Sequence, residues 1–225
     1  MVGSRHSDTP DTAKAPARRR KEARPGELTA AALALFVERG FAATRLDDIA
    51  ERAGVSKGTL YLYFDSKEAL FKAVIREGVV PAIEAGEAML KTFRDDPERL
   101  LRELLFGWWQ MLGSTPIGGI PKLMIAEGGN FPEVNQFYFD EVITRAHRLC
   151  YAALELGVAK GVFRPVDIEA QIQVILAPLL MLAIWKHSFA CCAGSEVAPQ
   201  RYLEATLDLI LNGLRQAGQK PGETR

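Results

Sequence analysis

A chain of 225 residues, nearly half of them hydrophobic and a quarter charged, can bury a real core and has an ordinary globular composition. Twenty-eight basic residues balance twenty-eight acidic ones, which excludes a partner held by net charge alone. Cys150, Cys191 and Cys192 are too few and too oddly spaced for a disulfide framework or a zinc site, so no metal and no cofactor is expected.

Residues 1–25 hold seven Lys and Arg against three acids, a net charge of +4. The stretch "ARRRKEARPG" reads as a disordered basic arm, and the absence of an apolar run speaks against a signal peptide. From Pro25 onward the period is helical, with no strand-like alternation. Leu28, Ala32, Leu35 and Phe36 stripe a first helix that stops at Gly40. Thr44 with Asp47 reads as a capping box for a second helix, Ser56 as the cap of a third, and Asp65 with Glu68 as the start of a fourth running to about residue 92.

The second and third helices, joined by "AGVS", fit a helix-turn-helix, with Gly54 supplying the left-handed turn and Val55 plugging the core. Stepping roughly 100° per residue places Leu60 and Phe64 together on an inward face. Gly58 and Leu62 then fall on the opposite side, flanked by Thr59 and Tyr61. A missing side chain, an apolar tip, a hydroxyl and a phenol make a poor solvated face. They make a sensible one for a major groove, where backbone approaches closely and a leucine meets a thymine methyl. Thr44 and the free N–H groups at the start of the second helix can serve one phosphate strand, and Lys57, Tyr63 and Lys67 the other. Residues 26–70 nonetheless carry a net −2. Phosphate neutralisation carries much of DNA affinity, so the Arg18–Lys21 arm is expected to supply part of it from the minor groove.

"RDDPERLLRELLFGWWQML" starts a fifth helix, capped by Asp96 with Pro97 in its first turn. A short helix from about Pro121 to Glu127 follows, then a long one from Pro132 to about Lys160. The last two run from about Asp167 to Phe189 and from Pro199 to Arg215. The total is about nine helices. The apolar run "VILAPLLMLAIW" is too short to span a bilayer, so no membrane association is expected. Ile168, Ile172, Ile175, Leu179 and Leu182 stripe the eighth helix, and Leu203, Leu207, Ile210 and Leu214 the ninth, which has more apolar width than one core contact needs. These two helices are the candidates for a homodimer seam.

Trp108, Met111, Met124, Phe137, His147, Tyr151 and Trp185 are the candidate ligand-binding residues. An aromatic and Met-rich interior suits a small hydrophobic or aromatic effector, with His147 as a possible polar anchor. Pro81, with Gly78 and Gly86 nearby, is expected to kink the fourth helix and act as a hinge. Three histidines without a metal-spaced cluster, no nucleophile elbow and no phosphate-cradling glycine loop argue against an enzyme.

The segment "ALALFVERGFAATRLDDIAERAGVSKGTLYLYFDSKEALFKAVI" closely resembles the N-terminal domain of the TetR family of bacterial transcriptional regulators. "IAEGGNFPEV" and "GVFRP.D" (the dot standing for Val166) look like the ligand domain in one branch of that family. The resemblance implies an all-α, cytoplasmic homodimer that binds a near-palindromic double-stranded DNA operator. It implies a repressor released by a small molecule, with the last two helices of each subunit forming a four-helix bundle. The family's DNA contacts fall on Thr44, Arg45, Ser56, Lys57, Gly58, Thr59, Tyr61, Tyr63 and Lys67, to which the helical wheel adds Leu62. The expected organisation is a basic arm (1–25), an N-terminal three-helix DNA-binding domain with the helix-turn-helix (26–71), a C-terminal helical ligand-binding and dimerisation domain (72–215) and a flexible tail (216–225). The alternative is a constitutive or protein-partnered helix-turn-helix regulator with no small-molecule ligand. An enclosed space of several hundred Å³ between residues 97 and 190 would favour the ligand-responsive form.

Overall fold

The computed structural model describes residues 16–189, 192 and 197–216, with side chains from residue 25 onward. Residues 1–15 of the expected arm, Cys191 and residues 217–225 of the expected tail lie outside the described residues. Among the described residues eleven α-helices form and no strand does.

Helix α1 (Pro16–Arg39) begins nine residues earlier than expected, so its first turns occupy sequence read as an arm. Ala, Arg, Lys and Glu there are strong helix formers, which outweighed the charge-run reading. It ends at Gly40, whose φ of 87° only glycine adopts freely. Helix α2 (Leu46–Arg52) and helix α3 (Lys57–Tyr61) follow, separated by Gly54 at φ 67°. The Thr44–Asp47 capping box does not form: Arg45 occupies the cap position without a side-chain bond. Ser56 caps α3 as expected, accepting from the Thr59 N–H at 3.1 Å. Helix α4 (Lys67–Gly78) is capped by Ser66 rather than Asp65, through the Ala69 N–H at 3.0 Å.

Val79 separates α4 from α5 (Val80–Thr92), so the expected single helix is two, with Pro81 in the first turn of the second. Proline cannot donate to the Glu77 carbonyl, and the break falls just ahead of it. Asp96 caps α6 (Pro97–Trp108), which continues as a π-turn, Trp109–Gly113. A 3-10 turn at Pro116–Gly119 leads to α7 (Ile120–Glu127). Helices α8 (Pro132–Tyr138) and α9 (Thr144–Ala159) are joined through a second π-turn, Phe139–Ile143, into one rod. Helices α10 (Ile168–Phe189) and α11 (Pro199–Leu214) complete the chain. Counting α4–α5 and α8–α9 each as one bent rod gives nine.

Two hydrophobic cores hold the elements. The first centres on Phe36, Phe41, Leu60 and Phe71 and continues through Ile120, Leu123 and Val134, so it crosses the expected domain boundary at residue 71. The second joins α6, α9, α10 and α11 through Leu101, Leu154, Ile175 and Leu207. It includes Phe163, whose ring lies where a Cβ on Gly157 would be.

The stripes expected at the dimer seam are spent inside the subunit. Ile172, Ile175 and Leu179 are buried, Ile168 and Leu182 pack against the second core, and Leu203, Leu207, Ile210 and Leu214 are buried. The apolar face left outside is another one: Val174, Met181, Trp185 and Phe189 on α10, with Leu209 on α11 at 75 % exposure. Among the described residues α10 alone is long and apolar enough to cross a membrane, although its other face is packed into the subunit core.

Candidate functional site

The helix-turn-helix is built from few residues. The Val55 N–H donates to the Ala50 carbonyl at 3.0 Å, closing the turn, while Leu60 is fully buried against Ile49 and Phe64 packs beside it. With Leu60 fixed inward, the rest of α3 is presented outward. Leu62 is 82 % exposed and Tyr61 44 %. A Cβ on Gly58 would meet only the Ser56 Oγ, at 3.9 Å, so nothing within the chain requires glycine there. Arg45, Ser56 and Lys57 are exposed around this face, and Thr59 and Tyr63 are half-buried.

Two expected phosphate contacts are turned into the fold instead. The Thr44 side chain is 1 % exposed, and its hydroxyl donates to the Gly40 carbonyl at 2.6 Å and the Leu35 carbonyl at 3.2 Å. The Lys67 ammonium donates to the carbonyls of Phe41 (2.6 Å), Ala42 (3.2 Å) and Thr44 (3.0 Å) and lies over the Phe41 ring. Its three protons are matched by three acceptors. Partial burial lowers its pKa from the ordinary lysine value. Three other cations of the module are paired with acids: Lys57 with Asp47 at 2.8 Å, Arg39 with Asp48 at 3.5 Å and Arg52 with Glu38 at 2.7 Å. The hydrogen bond and charge of Asp47 hold the Lys57 ammonium above its usual pKa. Among the described residues, Arg45 is the module's exposed cation with no ion pair.

The candidate ligand residues are not brought to one place. Trp108 and Met111 line an apolar pocket of about 70 Å³ between α5, α6, α9 and α10. His147 and Tyr151 instead border an open cleft of about 430 Å³ on the outer side of α9, with Arg148 and Glu169. Met124 and Phe137 pack on the first core, Phe137 under the Arg76 guanidinium at 5.0 Å. Trp185 stands on the outer face of α10, stacked on Phe189 at 4.9 Å. Cys150 also borders the apolar pocket, where burial pushes its thiol up to about 11 and leaves it unreactive.

Residues 28–74 match the model of bacterial regulatory proteins of the tetR family. The N-terminal segment is a TetR-family domain. The HTH-type transcriptional repressor KstR2 of Mycolicibacterium smegmatis is 28% identical over 210 residues, covering 92% of this chain and 96% of its own. The HTH-type transcriptional activator FasR of the same organism is 41% identical over 80 residues, which is 36% of this chain and 36% of FasR, so the match spans about a third of that relative. FadR from Bacillus subtilis, solved in complex with stearoyl-CoA, superposes with a TM-score of 0.68 at 19% identity, covering 84% of this chain and 98% of its own.

The pocket residues that sequence reasoning missed are mostly small or aliphatic. Gly86 lines the cavity because a Cβ there would collide with Leu149 of α9, and Gly107, Leu104 and Leu176 complete the wall. A glycine inside the helical pattern of "EAGEAML" was the available signal, since mid-helix glycine costs about 1 kcal/mol relative to alanine. The other missed residue is Glu127, whose carboxylate accepts from the Ala42 N–H at 2.7 Å.

Proposed function

We propose that this protein is a sequence-specific, dimeric transcriptional repressor that leaves a near-palindromic operator when a small hydrophobic effector enters the C-terminal domain. The observation that carries the DNA reading is the outward face of α3: Leu62 at 82 % exposure beside a Gly58 with open space over it. An exposed leucine at the C-cap of a five-residue helix adds little to the core, whereas in a major groove it has a partner. Each α3 reads one half-site, so a palindrome requires two copies. The exposed stripe Val174–Met181–Trp185–Phe189 with Leu209 supplies a surface through which the last two helices of two subunits can pack. Selecting duplexes from a randomised library with the purified full chain tests this reading. An inverted repeat is expected, and Leu62→Ala is expected to relax its preference at one base pair of each half-site.

Support for an effector comes from the apolar lining of this pocket and from Met89, Met111 and Trp108 in its wall, which are large and adaptable. FadR of Bacillus subtilis, which shares the fold, holds stearoyl-CoA. Long-chain acyl groups are therefore the first class to test, by their release of the selected duplex. A second reading is favoured by the cavity's volume. About 70 Å³ is far below the several hundred Å³ of a ligand site, as in a regulator that acts without a ligand. Binding of an acyl chain requires Met89, Met111 or Trp108 to move. A panel that leaves the duplex bound would favour the second reading.

A further inference from the structure

The loop between α1 and α2, residues 40–45, sets the angle at which the helix-turn-helix leaves the rest of the molecule. Three side chains hold it. Thr44 ties it back to α1 through the Gly40 and Leu35 carbonyls, and Lys67 from α4 gathers the carbonyls of Phe41, Ala42 and Thr44. The third comes from outside the DNA-binding domain. Glu127, the last residue of α7, reaches 85 positions back along the chain, and its Oε2 accepts from the Ala42 N–H at 2.7 Å. Its Oε1 lies where a Cβ on Gly40 would be. Phe131, just beyond α7, packs edge-on against Phe41 with ring centroids 4.7 Å apart.

We infer that Glu127 is a positioning residue for DNA binding, supplied by the C-terminal domain: with Lys67 it clamps the 40–44 loop and fixes the approach of α2 and α3 to the groove. Lys67 addresses the carbonyl side of the loop and Glu127 its free N–H, so the two bonds oppose each other across one turn. The inference rests on the DNA-binding reading above. It differs from a general electrostatic effect in sign. Removing an acid near DNA weakens repulsion of phosphate and tightens binding, whereas loosening a clamp weakens it.

The test uses the full chain and a duplex selected by the wild-type protein from a randomised library, with binding followed by fluorescence anisotropy. Glu127→Ala is expected to weaken binding about tenfold or more, the size of one lost charge-assisted hydrogen bond. Glu127→Gln keeps an acceptor oxygen and is expected to stay within about twofold of wild type. Glu127→Asp keeps the charge but is a methylene too short, and is expected to behave like the alanine variant. Equal or tighter binding by Glu127→Ala, or full binding by Glu127→Asp, would overturn the proposal. In the wild-type chain alone, the Ala42 amide is expected to exchange slowly with solvent although the residue is exposed, and exchange at the unprotected rate would also overturn it. If the wild-type chain selects no duplex, the DNA-binding reading itself fails, an outcome distinct from either.

Discussion

Leu62 and Lys67 show how differently two side chains of one short segment are used. Leu62 packs on nothing, so Leu62→Ala is expected to leave the melting temperature within about 1 °C, since surface changes of this kind stay within about 0.5 kcal/mol. The same variant is expected to cost about tenfold in affinity for the selected duplex, the order of a lost contact to one base pair. Unfolding of the domain would mean that Leu62 is core. Lys67 has the opposite signature. Its ammonium is bound to backbone carbonyls, so Lys67→Met is expected to lower the melting temperature while leaving the salt slope of DNA binding unchanged. Lys57 is exposed, ion-paired with Asp47 and set over the Tyr61 ring, and Lys57→Ala is expected to reduce that slope by about one. A sequence shows that threonine and lysine can hold phosphate. It does not show that the carbonyls of residues 41–44 converge on Lys67, or that Thr44 is walled in by the end of α1. Those are consequences of the turn at Gly40, and they are why two of the expected contacts belong to the loop instead.

At the scale of elements, helical period and the Pro and Gly breaks mark most of the rods, because each break removes a donor or permits a left-handed turn. Asp96, Ser56 and Gly54 act as the sequence suggests. The π-turns were not legible. The one at Trp109–Gly113 lies where two indoles fold over Gly113, and a single π-turn leaves no periodicity of its own in the sequence. Nor does a pattern reveal which face of α10 is free when both are apolar. The break at Val79 lies between the two halves of the molecule, and Pro81 prevents α4 and α5 from fusing. Pro81→Ala is expected to bind the selected duplex normally but to need more effector for release, read as a shifted titration midpoint. An unchanged midpoint would remove the hinge from the account. Packing makes a separate demand on Gly157. Gly157→Ala drives a methyl into the Phe163 ring and is expected to cost about 2 kcal/mol in denaturant unfolding.

At the scale of the molecule, the first core runs from α1 through α4 into α7 and α8, so the DNA-reading end is continuous with the C-terminal half. The salt bridge Lys72–Glu133 spans the same contact, while Arg145–Glu87 ties α9 to α5, with Arg145 Nη2 3.0 Å from Glu87 Oε1. Doubling the molecule through the outer face of α10 and α11 would give two α3 helices on one side of a symmetric particle. Met181→Glu, which places a charge in the centre of that face, is expected to convert the dimer to monomer in sedimentation at micromolar concentration with helicity retained. The most direct measurement of the central claim is the selection of duplex DNA from a randomised library, run in parallel with the wild-type chain, Leu62→Ala and Met181→Glu. An inverted repeat with half-sites about one helical turn or a multiple apart is the predicted result for the wild-type chain, with one base pair of each half-site relaxed in Leu62→Ala and the repeat lost in Met181→Glu. No enriched sequence with the wild-type chain, or an unaltered base preference in Leu62→Ala, would contradict it.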